Sequence, residues 1–174
     1  MTARSYSNGL FGYRLSAVGT VAALVILFWV FIALFGPVLT PYPPGEIVDM
    51  DYFGPMSAQF WLGSDYLGRD MLSRILMGAR YTVGISLAAV VISCFMGVVL
   101  GMTAAVLGGW FDTCLSRFLD ALNSIPSKLF GLVVVAGIGS SIPVLVGVLA
   151  VIYTPGSYRF ARALAVNINT MDFV

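Results

Sequence analysis

The chain has 174 residues, 59% of them hydrophobic and only 10% charged, with a formal net charge of +1 and no histidine. Soluble domains carry about a quarter charged residues, so this composition, with a mean hydropathy of +0.96, belongs in a bilayer. The missing histidine excludes Ser–His dyads, HExxH zinc centres and His-ligated haem; the net charge says nothing about nucleic acid and no basic cluster suggests it, so none is expected as a partner.

Residues 1–15, with Arg4 and Arg14, read as a cytoplasmic N-terminal segment. The uncharged run AVGTVAALVILFWVFIALF, residues 17–35, exceeds the roughly 18 residues of a spanning helix and the about 7 to 15 of a secretory h-region. It ends in Phe35-Gly36-Pro37 without a small-x-small cleavage pattern. An uncleaved transmembrane helix is therefore predicted over 16–39. The positive-inside rule sets the two arginines against Glu46, Asp49 and Asp51 and makes the next segment external.

Residues 40–80 are predicted to form an external loop and an amphipathic helix. Prolines 37, 41, 43, 44 and 55 with Gly45 and Gly54 keep its first part irregular. Tyr52, Phe53, Phe60 and Trp61 are suited to the headgroup level. Glu46, Asp49 and Asp51 on a proline-rich connection read as a solvated surface rather than a cation site, so no metal is assigned. Within WLGSDYLGRDMLSRILMGAR, Met71, Leu72, Ile75, Leu76 and Ala79 recur at helical spacing. Asp65 to Arg69 and Asp70 to Arg74 are acid-to-base pairs at i,i+4. An external helix over 65–80 is thus predicted, with Asp65, Gly68, Arg69, Asp70, Arg74 and Arg80 as candidate partner contacts, because arginine is uncommon on the external side. The blander reading is an interfacial helix whose charges face water.

A second transmembrane helix is predicted over 81–107, where residues 83–107 carry no charge. Its Ala89, Ser93, Gly97, Gly101 and Ala105 form a small-residue row that includes a GxxxG match, a surface that lets another helix approach closely. Ser93, Gly97, Gly101 and Ala105 are the candidate packing positions. Cys94 and Cys114 read as packing residues, without a disulfide or metal pairing.

Gly108-Gly109 marks a cytoplasmic turn over 108–113. Beyond it Phe111, Cys114, Leu115, Phe118, Leu119, Leu122 and Ile125 make an apolar face, with Asp112, Ser116, Arg117, Asp120 and Asn123 opposite. Hydropathy alone allows an interfacial helix plus one span, or two spans near 114–137 and 142–165. Asp112 and Asp120 near membrane depth are functional candidates, yet eight helical residues separate them by roughly 12 Å, against about 3 Å in a proton-sharing dyad. They do not make an aspartyl protease with each other. Lys128 is the only lysine and follows Ser127, which rules out a GxxxxGK[ST] phosphate loop. No cofactor is expected. Lys128 either snorkels to an interface or, with Asp112, Arg117 and Asp120, lines a pathway and meets substrate carboxylates.

Three blocks carry a family resemblance. FWLGSDYLGRDMLSRILMGAR resembles the segment LGTDxxGRDxxSRxxxGAR of permease subunits of ABC importers for dipeptides, oligopeptides and nickel. GWFDTCLSRFLDALNSIPSKLF is similar to the family's GGWxDxxxMRxxDxxxxIPxLL, and YRFARALAVNINTMDFV to its YARxVRxxxLxLxxxxFV. The match covers nearly the whole chain in order and with family spacing. It implies an all-α polytopic bundle of about four spans, both ends cytoplasmic, corresponding to the N-terminal part of a six-span type I importer permease. Residues 166–174 would then begin the cytoplasmic coupling region, whose Glu-Ala-Ala opening and two following spans are not in this sequence. The resemblance further implies a multi-pass protein of the bacterial inner membrane. Its implied partners are the lipid bilayer, a second permease subunit, two cytoplasmic ATPase subunits and an extracytoplasmic solute-binding protein. No catalytic residue is expected, nor coupling of ATP hydrolysis to transport by these 174 residues alone. A non-transporting membrane protein that packs against a partner is the rival reading.

Overall fold

A computed structural model of the chain describes residues 16–48 and 52–169, with side chains as far as 166. The expected cytoplasmic segment 1–15 with Arg4 and Arg14, the acids Asp49 and Asp51, and the last residues of the coupling region lie outside the described residues. The described residues form an all-α protein of five helices, with one isolated bridge between Ser64 and Asp70 and no named strand. They fall into two compact units, Met1–Arg80 and Tyr81–Val174.

In the first unit, α1 spans Ala17–Leu39. Ser16 caps it, its Oγ accepting from the Gly19 N–H at 3.2 Å, which satisfies one of the free donors of the first turn. Pro37 sits in the last turn, where the loss of one backbone donor is least damaging, and Thr40 Oγ1 donates to the Gly36 carbonyl at 2.6 Å. Gly36 is the buried residue of α1, and a Cβ there would come within 2.8 Å of the Leu76 carbonyl oxygen. Glycine is therefore what lets α1 close against the start of the next helix. Most other α1 side chains are apolar and exposed, as suits a helix facing lipid.

The second helix, α2, runs unbroken over Met71–Leu107, 37 residues. At 1.5 Å per residue it is about 55 Å long, well beyond the roughly 30 Å of a hydrocarbon core. This corrects two expectations. Residues 65–70 form a turn rather than helix, and 71–80 are not a separate helix but run on into 81–107 without a break. Asp70 explains the start: its Oδ2 accepts from the Ser73 N–H at 2.8 Å and the Ser73 hydroxyl at 2.6 Å, an N-cap arrangement. Nothing between Met71 and Leu107 interrupts the helix, since no proline occurs there.

The second unit holds the remainder of α2 with α3 (Gly109–Ser124), α4 (Ser127–Ile138) and α5 (Ile142–Asn169). Gly108 and Gly109, with φ of 59° and 54°, reverse the chain so tightly that the expected turn over 108–113 shrinks to its first residue before helix resumes. The expected span over 114–137 is not one straight helix. It breaks at Ile125-Pro126, because a proline disfavours helix in the residue before it, and α3 and α4 meet at 83°. The last helix covers the expected 142–165 and continues to Asn169. Among the described residues three helices are long and apolar enough to cross a membrane, or up to four if the bent α3–α4 pair is one span.

Candidate functional site

In the second unit α2 and α5 approach each other backbone to backbone at two glycines. Ala89 and Ser93 are 1% exposed, and Gly97 and Gly101 are buried. A Cβ on Gly97 would lie 2.4 Å from the Ser157 Cβ, and one on Gly101 would lie 2.8 Å from the Tyr158 carbonyl oxygen and 2.9 Å from the Arg162 nitrogen. Position 93 pairs with 157, through hydroxyls 3.4 Å apart, and 101 with 158–162, so the two helices run in the same direction. At the end of the row the sequence reading slips by one. Ala105 is only half-buried, and Ala104, 0% exposed, joins Leu119 and Tyr158 in the core. A row spaced strictly by four drifts around a helix of 3.6 residues per turn, and the step of three to Ala104 corrects that drift.

Against this seam α3 places Asp112. Both of its carboxylate oxygens accept from Arg162 of α5, one from Nε and one from Nη2, the bidentate fork that arginine makes with a carboxylate. Tyr158 Oη, on a side chain 1% exposed, lies 2.8 Å from Ser116 Oγ and donates to Asp112 Oδ1 at 3.4 Å. Four residues from two helices thus form one connected network. Sequence reasoning singled out Asp112 but not its partners, since Arg162 is 50 residues away; the only local signal was that Asp112 and Ser116 share a helix face. Arg117 and Asp120 are not drawn into this network and are exposed.

The first unit carries the other ionic centre. Asp65, 2% exposed, accepts at Oδ1 from the backbone N–H groups of Leu67 (2.8 Å) and Arg69 (3.0 Å), and at Oδ2 from Arg69 Nε (2.9 Å) and from the Arg74 guanidinium. Arg74 therefore pairs with Asp65 rather than with Asp70, whose carboxylate is used as the helix cap. Burial pushes the Asp65 carboxyl up, but the N–H donors of Arg69 and Leu67 and the Arg69 guanidinium outweigh it and hold the group well below the ordinary carboxylate range. Gly68, with φ of 71°, closes the turn and accepts from the Val48 N–H at 2.9 Å. Ser73 Oγ accepts from the Tyr42 N–H at 3.2 Å, fastening the proline-rich loop to α2. Arg80 is exposed and makes no ion pair with another described residue. The outward face of this turn is aromatic and aliphatic, with Trp61 68% and Tyr66 57% exposed.

Lys128 opens an apolar groove of about 490 Å³ between α4 and α5, lined by Leu132, Val135, Leu145, Val148 and Ile152. It is exposed and far from the Asp112 network in role, making no ion pair with a described residue. No group of three or more potential metal ligands occurs among the described residues.

With this geometry in place, comparison with known proteins is informative. Residues 97–174, which hold the lower seam and the Asp112 network, match the family described as binding-protein-dependent transport system inner membrane component. The chain is 33% identical over 159 residues to the glutathione transport system permease protein GsiD of Pectobacterium atrosepticum, covering 90% of this chain and 52% of that protein. It is 34% identical over 170 residues to the di/tripeptide transport system permease protein DppC of Pseudomonas aeruginosa, covering 94% and 55%. With the probable D,D-dipeptide transport system permease protein DdpC of Escherichia coli it shares 30% over 159 residues, covering 91% and 53%. The chain spans about half the length of the curated relatives it matches. An all-helical scaffold with three candidate spans and these relatives is thus similar, over residues 97–174, to binding-protein-dependent transport system inner membrane components.

Proposed function

We propose that this chain supplies part of the translocation pathway of an ATP-driven importer for peptides or similar small solutes. Its partners in that role are a second permease subunit, two ATPase subunits on the cytoplasmic side and an extracytoplasmic solute-binding protein. The observation that carries the reading is the similarity to glutathione and dipeptide permeases along nine-tenths of the chain. The α2–α5 seam gives it a physical basis, because a transporter that alternates between two states needs rigid elements to pass a differential contact energy between sites.

In this reading the chain does no covalent chemistry. The Asp65 turn ties Arg69 and Arg74 to its carboxylate and offers Trp61 and Tyr66 to a neighbouring subunit, and Lys128 is the cation available to a substrate carboxylate. The test is affinity purification of the tagged chain from its native membrane in mild detergent, with the co-purifying chains identified by mass spectrometry. Recovery of an ATPase subunit and a second permease supports the reading; a chain recovered in quantity without either overturns it and favours the packing role.

A further inference from the structure

The surface of α3 divides into four strips, and only one is used by the bundle. Asp112, Leu115, Ser116, Leu119 and Leu122 are the buried or half-buried positions and face α2 and α5. At about 100° per residue, Phe111, Cys114 and Phe118 fall to one side of that strip, all exposed. Thr113, Asp120 and Ser124 fall to the other side, also exposed. Trp110 and Arg117, one above the other seven residues apart, lie between these flanks and point away from the bundle; Trp110 is 80% exposed.

The bend fixes how such a helix sits. Gly131 of α4 lies beside Val148 and Ile152 of α5, and Gly139 to Ser141 join the end of α4 to the start of α5. The two helices are therefore antiparallel neighbours, and α4 runs back along α5, which is long and apolar enough to cross a membrane. With 83° between α3 and α4, α3 is left near the membrane plane. The apolar flank of α3 also follows directly on Val106 and Leu107, 75% and 66% exposed at the end of the spanning α2. That surface is continuous with a lipid-facing one.

We propose that α3 is an interfacial helix docked on the lipid of the leaflet where α2 ends. Phe111, Cys114 and Phe118 enter the acyl chains, Thr113, Asp120 and Ser124 face water, and Trp110 and Arg117 sit at the headgroup level, where indole and guanidinium groups are favoured. Only α4 of the bent pair enters the hydrocarbon core. The inference rests on the membrane reading and not on transport, so it stands or falls independently of the importer assignment.

The test is a spin-label scan of positions 110 to 121, one cysteine at a time in a Cys94→Ala, Cys114→Ser background. The whole chain is placed in phosphatidylethanolamine and phosphatidylglycerol vesicles, and accessibility to oxygen and to a water-soluble nickel chelate is measured. The expected result is a depth that oscillates with the helical period about a nearly constant mean, labels at 111, 114 and 118 being deep and labels at 113 and 120 exposed to nickel. A depth that climbs steadily by about 1.5 Å per residue would make α3 part of a span and overturn the proposal. Labels at 111, 114 and 118 immobilised and shielded from both reagents would overturn it in favour of a protein neighbour. A label on the native Cys94 of α2, in Cys114→Ser protein, checks insertion by reading deep in the bilayer. Quenching of Trp110 in a Trp29→Phe, Trp61→Phe chain needs no cysteine change; it should be stronger with lipid brominated near the headgroup than at mid-chain, and the reverse order contradicts the proposal.

Discussion

Asp65 and Asp112 are both carboxylates held by arginine, and they differ in reach. Asp65 draws every donor from within nine residues, two of them backbone N–H groups of its own turn. Asp112 has one weak donor in its own helix, Ser116 Oγ at 3.5 Å, and draws the others across 46 and 50 residues, from a second helix. The first is a local clasp that shapes a turn and leads the chain into α2. The second closes a tertiary contact, and its geometry exists only if α2, α3 and α5 have already packed. Loss of the first should loosen a segment; loss of the second should loosen the bundle.

The largest expected effect comes from the surface that lets the long-range clasp form. Gly97→Leu or Gly101→Leu drives a side chain into backbone that stands under 3 Å from an added Cβ, and overpacking of this kind costs about 1–3 kcal/mol or more. Unfolding of the purified chain in mild detergent should show the full loss, with the Asp112 pairing lost as well. Next is the clasp itself. Asp112→Ala strands Arg162, and because the two side chains are 18% and 37% exposed the buried-pair penalty is reduced by solvent to about 1–2 kcal/mol. A double-mutant cycle with Arg162→Met should recover a coupling of about 1 kcal/mol; a coupling near zero would mean that the two residues act independently.

Asp65 should give a smaller and pH-dependent effect confined to its own unit. Its folded pKa lies below the unfolded value of 3.8, so the stability it contributes is present above about pH 4 and is lost as pH falls through the folded value. Hydrogen exchange of residues 52–70 should therefore be slow at pH 6 and lose protection progressively below about pH 4. In Asp65→Asn protein the protection should be low throughout, with no such dependence, and a retained pH profile would assign it to another group. Smaller again, Ser73→Ala removes the hydroxyl that Asp70 and Tyr42 share and should cost about 1 kcal/mol. Arg117→Gln, at an exposed position outside both centres, should change unfolding by less than about 0.5 kcal/mol.

What could be read in the sequence follows the same division. The uncharged runs made α1 and α2 legible, because a span is a matter of length and hydropathy within one segment, whereas hydropathy left α5 open and only the family resemblance implied it as a separate span. The small-residue row was legible as a packing surface, although its partner helix was not, since nothing in Gly97 or Gly101 names Ser157 or Tyr158. Asp65 to Arg69 was visible as an i,i+4 pair, but a Gly68 in the left-handed region turned it into a turn contact and freed Arg74 to join it. Asp112 was visible only as a charge near membrane depth. The bend at Pro126 was readable as an interruption and not as an angle, because the angle is set by what α3 and α4 each pack against. Residue patterns carry nothing about partners and role, for which the family resemblance gives only an expectation.

The central claim is that α2 and α5 run side by side in the same direction, with Ser93 facing Ser157. It is tested most directly by disulfide formation between Ser93→Cys and Ser157→Cys in native membranes. The native Cys94, whose Sγ lies 4.0 Å from Ser157 Oγ, must first be removed as Cys94→Ala, with Cys114→Ser. Near-complete cross-linking on mild oxidation is expected for the 93–157 pair, and none for a control with Val91→Cys, on the exposed side of α2, in place of Ser93→Cys. Absence of the 93–157 cross-link, or equal cross-linking of the control, would contradict the account.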